Sequence, residues 1–381
     1  MAVRCAFVLP IPVPYREPLF ALLAARGRVE PHVVYARARQ RTWQQPDAWF
    51  PRPRGYQART LNGVELPRRG PTPLTVPRGL QRTLDEIAPD CVVSSEFGPL
   101  TWASIAWCRR RRRPWLVFSE VTEASERVLS APQRALQRLI ARHAAGLLAA
   151  SGRARRRLLA AGVPPERVAV VLQAADLDAY ERVAHVRREP LGRPLRVVSV
   201  GRLVPEKRHD LAIEAVARAR ASLTLEIVGD GPLRRQLEEL ARRLQAPASL
   251  RGFVAPPDQP NVLRQADVFL LASDFEPFGA VVREAAACGL PLVLSERVGA
   301  IGDIAVPGRN ALVVPAGDPA ALANALERLA NEPGLLARMS QASIELTRSW
   351  PLERDAAALE DAVEAAVAGH VAVARDSQLA G

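Results

Sequence analysis

Short apolar runs alternate with amphipathic stretches along most of the chain. In the first half, VRCAFVLP (3–10), VEPHVVYA (29–36), DCVVSSE (90–96), PWLVFSE (114–120), AAGLLAAS (144–151) and RVAVVLQ (167–173) are short and almost continuously apolar. That is the pattern of strands covered on both faces of a parallel sheet. Between them, YREPLFALLAARG (15–27), PRGLQRTLDEIAP (77–89), PLTWASIAWCRRRRR (99–113), residues 131–143 and GRARRRLLAAG (152–162) read as helices, the first ending at Gly27. The Pro-, Arg- and Gln-rich stretch 39–78 is the least regular and predicts a long loop with a short strand near YQARTL.

Residues 174–194 break the alternation and read as an interdomain linker; the pattern then restarts. LRVVSVG (195–201), LTLEIVG (223–229), SLRGFV (249–254), ADVFLLAS (266–273), LPLVLS (290–295) and NALVVP (310–315) are predicted strands, and 318–368 is helix after helix. Strand–helix alternation in two halves predicts an α/β protein with two doubly wound parallel sheets, in domains spanning 1–180 and 190–350. Ligands of such sheets bind beyond the carboxyl ends of the strands, so the crevice between the halves is the expected site. No repeat of solenoid period is present.

Composition narrows the class. The 381 residues are 48% hydrophobic and 24% charged, a soluble globular balance, and no apolar run is long enough to span a membrane. Cys5, Cys91, Cys108 and Cys288 have no paired spacing, which argues against zinc and disulfides and suits reduced thiols in a cytoplasmic protein. A net charge of +12 raises the question of nucleic acid, but aromatic residues are only 5% and no stacking platform is visible. An arginine-biased composition accounts for the charge, as does a basic face for membranes or anionic acceptors. Of the 52 basic residues, Lys207 is the single lysine.

That lysine lies in GRLVPEKRHD (201–210). Gly201 permits a tight turn after the strand, and Pro205 suits the first position of a helix, which puts Lys207 in its first turn. A cation there opposes the helix dipole and needs an anion to justify it. With Arg202 and the free N–H groups of a helix start, Lys207 predicts a phosphate site. The alternative is a solvated pair with Glu206 or Asp210. The second informative stretch is LLASDFEPFGAVVREAAACGLP (270–291). Glu276 precedes a helix and Glu284 lies inside it; eight positions of helical rise, roughly 12 Å, forbid a shared metal or proton. They are spaced to hold two ends of an extended ligand, with the N–H groups of Phe278, Gly279 and Ala280 free at the helix start. The flanks of Glu284 are small and apolar, so a dedicated partner is expected for it; pairing with Arg283 is the plain alternative.

EPFGAVVRE resembles the E-x7-E motif of the retaining glycosyltransferases of family 4, and GRLVPEK resembles that family's G-R-L-x-x-x-K motif. IVGDGP (227–232), LRGFV (250–254) and VGAIGDIAVPGRNALVVPAGD (298–318) follow in the family's order, so that the resemblance covers nearly all of 195–320. It implies the GT-B architecture: two Rossmann-like domains facing across a cleft, the donor held by the C-terminal one, and a last helix, 352–370, crossing back to the N-terminal domain. Carried over by residue, Gly201, Arg202 and Lys207 would bind the diphosphate of a nucleoside-diphosphate sugar. Glu284 would hold the ribose, and Glu276 with the backbone of Phe278, Gly279 and Ala280 would hold the transferred sugar. The Phe253–Val254 backbone and the Gly229–Gly231 turn would frame the base.

The reaction so implied moves a sugar, with retention, to a hydroxyl of a glycan, lipid-linked or small-molecule acceptor, in cell-envelope or exopolysaccharide biosynthesis. It needs no cofactor and no metal; DLD at 176–178 matches D-x-D but lies in the linker. The N-terminal half departs from the pattern. LPIPVPYREP has no Gly-Gly turn, and PWLVFSEVTE ends in Ser119–Glu120 where many members carry a histidine, the five histidines lying elsewhere. Glu120, Glu96 and Arg16 are the candidate polar groups there. Arg109–Arg113, with Arg134, Arg138 and Arg142, are candidates for docking on anionic lipid at the inner face of the membrane. Two rivals share the fold: a nucleotide-sugar epimerase and a non-catalytic sugar-nucleotide-binding partner protein.

Overall fold

A computed structural model describes residues 2–40, 46–66, 74–126, 129–173, 177–187 and 193–369. Contacts divide the chain into two compact units, 1–175 with 352–381, and 176–351. In the first unit β1 (Val3–Leu9), α1 (Glu17–Arg26), β2 (Val29–Tyr35) and β3 (Gln57–Thr60) are followed by a small antiparallel hairpin, β4 (Val64–Leu66) with β5 (Leu74–Val76). Then come α2 (Leu80–Ile87), β6 (Cys91–Ser95), α3 (Pro99–Arg111), β7 (Trp115–Ser119), α4 (Glu123–Glu126), α5 (Ala131–His143), β8 (Gly146–Ala149), α6 (Gly152–Ala160) and β9 (Val168–Val170). β3 falls on the short strand expected near YQARTL, whereas β4 and β5 lie in the part of that stretch expected to be loop; strands of three residues are too short to show an alternation.

The second unit opens with α7 (Asp178–Arg182), followed by β10 (Leu195–Val200), α8 (His209–Arg218), β11 (Leu223–Val228), α9 (Arg234–Arg243), β12 (Ala248–Gly252) and α10 (Gln259–Gln265). It continues with β13 (Val268–Leu271), α11 (Ala280–Ala287), β14 (Leu292–Ser295), β15 (Ala311–Val314), α12 (Pro319–Asn331) and α13 (Leu335–Arg348). Residues 174–194 were expected to be a linker, with the first domain running to residue 180, but 178–182 form helix α7. It sits in the second unit instead, with Tyr180 buried. Arg187, from the same stretch, is 2% exposed, and its guanidinium donates to the carbonyls of Ala266, Leu263 and Cys288. Burying a charge without a carboxylate demands such saturation by carbonyls, and the result anchors the stretch to its unit.

Both main sheets are parallel, with strand orders β3-β2-β1-β6-β7-β8-β9 and β12-β11-β10-β13-β14-β15. Each winds outward in two directions from a central pair, β1/β6 and β10/β13. The loops leaving the carboxyl ends of such a pair diverge to opposite sides, opening a crevice at that point. After α13 the chain returns to the first unit as α14 (Leu352–Val367), whose Ala356, Leu359, Ala362, Val363 and Ala366 join the core formed by β1, β2, β6 and α1. The Asp355 carboxylate accepts from the Leu172 N–H at 2.9 Å, and the buried Glu360 accepts from Arg26 and Arg28.

Candidate donor-binding site

The loop after β10 is shaped by glycines on its neighbour. Gly201 N–H donates to Val228 O, Leu203 N–H to Asp230 O and Leu233 N–H to Leu203 O, at 2.9, 3.0 and 3.1 Å. These bonds press the β11–α9 turn onto the 201–203 backbone. A Cβ on Gly229, whose φ is +143°, would stand 1.9 Å from Gly201 O, and one on Gly231 would stand 2.6 Å from Leu203 O. Backbone packing thus accounts for both glycines, which the sequence suggested as a frame for the base.

Pro205–Lys207 form a separate 3-10 turn, and Arg208, at φ +51°, breaks the chain direction before α8 begins at His209. Lys207 is therefore not in the first turn of the α-helix, as the Pro205 signal suggested. The left-handed Arg208 disfavours a continuous helix, and its side chain holds the kink by pairing with Asp210 (2.9 Å) and Asp274 (2.8 Å). The Lys207 stem then runs beside Gly201, about 3.5 Å from where a Cβ would be, and its ammonium pairs with Glu276. Neither Glu206 nor Asp210 takes the lysine; Glu206 lies 3.5 Å from Arg202, and Asp210 is with Arg208.

Glu276 is reached because β13 lies next to β10, which brings two loops 69 residues apart in sequence onto the same switch point. Its own loop is held from the other side. Gly299 N–H donates to Glu276 O and Ala300 N–H to Phe278 O, both at 2.9 Å, and a Cβ on Gly299 would be 1.7 Å from Pro277 O. Gly279, at φ +91°, turns the chain into α11, whose start carries no side-chain cap, while Phe278 is fully buried. Glu284 follows in the second turn. It does not pair with Arg283, which is buried and donates to Trp350 O at 2.6 Å. Gln259 donates to the Glu284 carboxyl instead, and Tyr180 bonds it as well; burial outweighs both and pushes its pKa up to about 7. Phe253 and Val254 follow β12, two strands away from β10 at the sheet's edge.

In the first unit, the three tentative residues, 80 and 24 positions apart, come together. Arg16, Glu96 and Glu120 follow β1, β6 and β7, neighbours in the sheet. Arg16 pairs with Glu120 at 2.5 Å and lies over the Phe118 ring, and the Glu120 N–H donates to the Glu96 carboxyl at 2.7 Å. Glu96 has a φ of +60°, rare for a non-glycine. Burial first, then the Glu120 charge, pushes its pKa up to about 8, against the pull of the Glu120 N–H and Arg16. The arginine run is less available than its sequence implies: Arg110 and Arg111 pair with Asp85, and Arg113 with Asp90. Asp176 of the DLD stretch and His370 lie outside the described residues. Among the described residues no helix is long and apolar enough to cross a membrane.

Residues 184–346 match the family model described as "Glycosyl transferases group 1", and residues 12–173 match "Glycosyl transferase 4-like domain". The structure of Anabaena Alr3699/HepE in complex with UDP aligns with a TM-score of 0.73, over 95% of this chain and all of that one, at 17% identity. Two glycosyltransferase family models thus match successive parts of the chain, and the fold is GT-B. A second GT-B structure, the lipopolysaccharide outer core galactosyltransferase WaaB in its apo form, aligns with a TM-score of 0.71 at 16% identity, over 95% of this chain and 99% of its own. Among curated proteins, the D-inositol 3-phosphate glycosyltransferase of Streptomyces bingchenggensis (strain BCW-1) is 33% identical over 231 residues, 55% of this chain and 50% of its own. The alpha-D-kanosaminyltransferase of Streptomyces kanamyceticus is 32% identical over 234 residues, 58% of this chain and 60% of its own. The aligned chain thus spans about half the length of the curated relatives it matches.

Within this GT-B chain, Gly201 through Glu284 all fall in the group 1 domain, and Arg16, Glu96 and Glu120 in the 4-like domain. Three residues at the site escaped the sequence reading. His209 is 2% exposed beside Gly201, its Nδ1 3.3 Å from Ser199 Oγ; burial and then the Lys207 charge push its pKa down to about 4, so it is neutral at physiological pH. Its place directly after the Lys207 motif was the available signal. Gln259 and Tyr180, the partners of Glu284, had none, because they come from α10 and α7 and only packing selects them.

Proposed function

We propose that the protein is a retaining, metal-independent glycosyltransferase that moves a sugar from a nucleoside-diphosphate sugar to a hydroxyl acceptor. The observation that carries this reading is the Lys207–Glu276 pair at the β10/β13 switch point, with Glu284 held by neutral partners in the helix α11 that follows Glu276. As the anomeric bond breaks, negative charge develops on the departing diphosphate. Arg202, Lys207 and the uncapped start of α11 supply fixed positive potential for it. Lys207 turns from Glu276 to the phosphate, and the freed Glu276 carboxylate accepts from hydroxyls of the sugar. Glu284 accepts from the ribose hydroxyls while Gln259 keeps its second oxygen engaged. The acceptor hydroxyl attacks on the face the diphosphate leaves and passes its proton to the departing phosphate, which gives retention without a protein base.

Relatives named as glycosyltransferases and the group 1 match support the reaction class. The acceptor is a glycan, a lipid-linked sugar or a small polyol in cell-envelope or exopolysaccharide biosynthesis, handled by the 4-like domain through Arg16 and Glu120. The test is incubation with a panel of nucleoside-diphosphate sugars in the presence of a chelator, following release of nucleoside diphosphate. Proton NMR of the product then gives the anomeric configuration. Release with chelator present and a retained configuration support the proposal. Inversion, or a strict need for divalent metal, overturns the mechanism; interconversion of the sugar would indicate an epimerase, and binding without turnover a non-catalytic protein.

A further inference from the structure

Helices α3 and α5 of the first unit line a groove of about 380 Å³, with Trp102, Ile105, Leu136 and Leu139 as its apolar lining and Arg109 and His143 beside them. Among the described residues seven large hydrophobic side chains are exposed, and three of them meet here: Trp102 at 46%, Leu136 at 36% and Leu139 at 55%. A soluble surface rarely concentrates apolar groups in this way without a partner.

The charge around the groove is one-sided. The two helices hold six arginines and no aspartate or glutamate. Asp85 of α2 engages Arg110 and Arg111, neither of which lines the groove. Arg109, Arg138 and Arg142 have no carboxylate partner among the described residues. On α5, Arg138 and Arg142 are four apart and so form one stripe, immediately beside the stripe of Leu136, Leu139 and His143. An exposed apolar stripe flanked by unpaired arginines is the design of a helix lying in the interface of an anionic bilayer: side chains with long stems reach outward to phosphates while the apolar edge sinks between headgroups.

We propose that the α3–α5 groove docks the protein on a membrane containing anionic lipid. Trp102 and Leu139 enter the headgroup–acyl boundary, and Arg109, Arg138 and Arg142 contact headgroup phosphates. This moves the lipid contact away from the paired end of the Arg109–Arg113 run, and it stands independently of the reaction proposed above.

The experiment is co-sedimentation of the full chain with phosphatidylcholine vesicles and with mixed phosphatidylcholine–phosphatidylglycerol vesicles, together with quenching of tryptophan fluorescence by brominated lipid. Binding is expected only to the mixed vesicles, weakening with salt. The double change Arg138→Gln with Arg142→Gln should lower partitioning about 25-fold, at roughly 1 kcal/mol or fivefold per arginine. The same two charges removed from α9 of the second unit, Arg242→Gln with Arg243→Gln, should leave partitioning within about twofold, a control for net charge alone. Leu139→Ser should weaken binding to mixed vesicles, and Trp102→Phe should abolish most of the lipid quenching; thermal melting shows that each variant is folded. Equal losses in the α9 control, full binding by folded Leu139→Ser, or no vesicle binding at all would overturn the proposal. So would a concentration-dependent dimer, seen by sedimentation velocity, that Leu139→Ser dissolves, since the groove would then belong to a second copy of the chain.

Discussion

Lys207 is the lone lysine in a chain with 51 arginines, and its surroundings give that choice a physical meaning. Its stem is laid against Gly201 and its compact ammonium reaches Glu276 from a 3-10 turn. A guanidinium is a bulkier planar fork that cannot rotate about a point as an ammonium does. Lys207→Arg is therefore expected to lower turnover at least about tenfold, on the order of 1.4 kcal/mol of barrier, with near-normal rates counting against the role assigned to it. Glu284 makes a different prediction. Its folded pKa, raised to about 7 by burial, exceeds the 4.5 of an unperturbed glutamate, so the folded state holds a proton that the unfolded state gives up. The stability tied to that proton is complete below pH 4.5 and is lost as pH rises through 7. Thermal melting from pH 4.5 to 8 should show the wild-type protein losing ground to Glu284→Gln, whose amide does not titrate; parallel curves would contradict it. Both residues stand out in the sequence as oddities of type and setting. The pairings they make do not: Gln259, Tyr180 and Glu276 arrive from elsewhere in the chain, and Glu276, legible as a motif residue, gave no sign that Lys207 would be its partner.

Among elements, the strands and helices of the second unit lie close to where apolar periodicity puts them, and Ala131–His143 in the first coincides with its predicted span. Continuous apolar runs and strong caps leave little freedom: Ser130 and Gln133 form a capping box at the start of α5. What escaped prediction was short or conditional. The β4–β5 hairpin has three residues per strand, and the turn at 205–207 ends in a left-handed Arg208 whose side chain is held by Asp210 and Asp274. The turn after β11 shows how one loop depends on another. Gly229→Ala would drive a Cβ into Gly201 O, so a loss on the order of 3 kcal/mol or more is expected, with weakened donor binding in the folded fraction. Gly308→Ala, at φ +77° with nothing within 4 Å, should cost only the strain of the left-handed conformation, about 1 kcal/mol. Chemical denaturation of the two variants measures the difference; equal losses would mean that the backbone contact carries no weight.

For the whole molecule, the chain crosses from the first unit to the second and comes back. Helix α14 supplies five apolar residues to the first unit's core, and its Glu360 is buried between Arg26 and Arg28. Glu360→Ala leaves those arginines, each about a third exposed, without their shared partner, and should lower the stability of the first unit by about 2 kcal/mol. In a denaturation curve resolved by unit, the transition of the second should stay where it is; a common shift would mean that α14 acts elsewhere. The alternation of apolar runs by itself determined two doubly wound α/β halves, because buried strands and helix signals are local properties of the sequence. It did not determine that Lys207 meets Glu276, that Arg16, Glu96 and Glu120 converge, or that α7 belongs to the second unit. The first two follow from strand order and the third from packing of α7 against α11, and both are decided by the competition of whole strands and helices for a shared core, a property no local stretch of the chain contains.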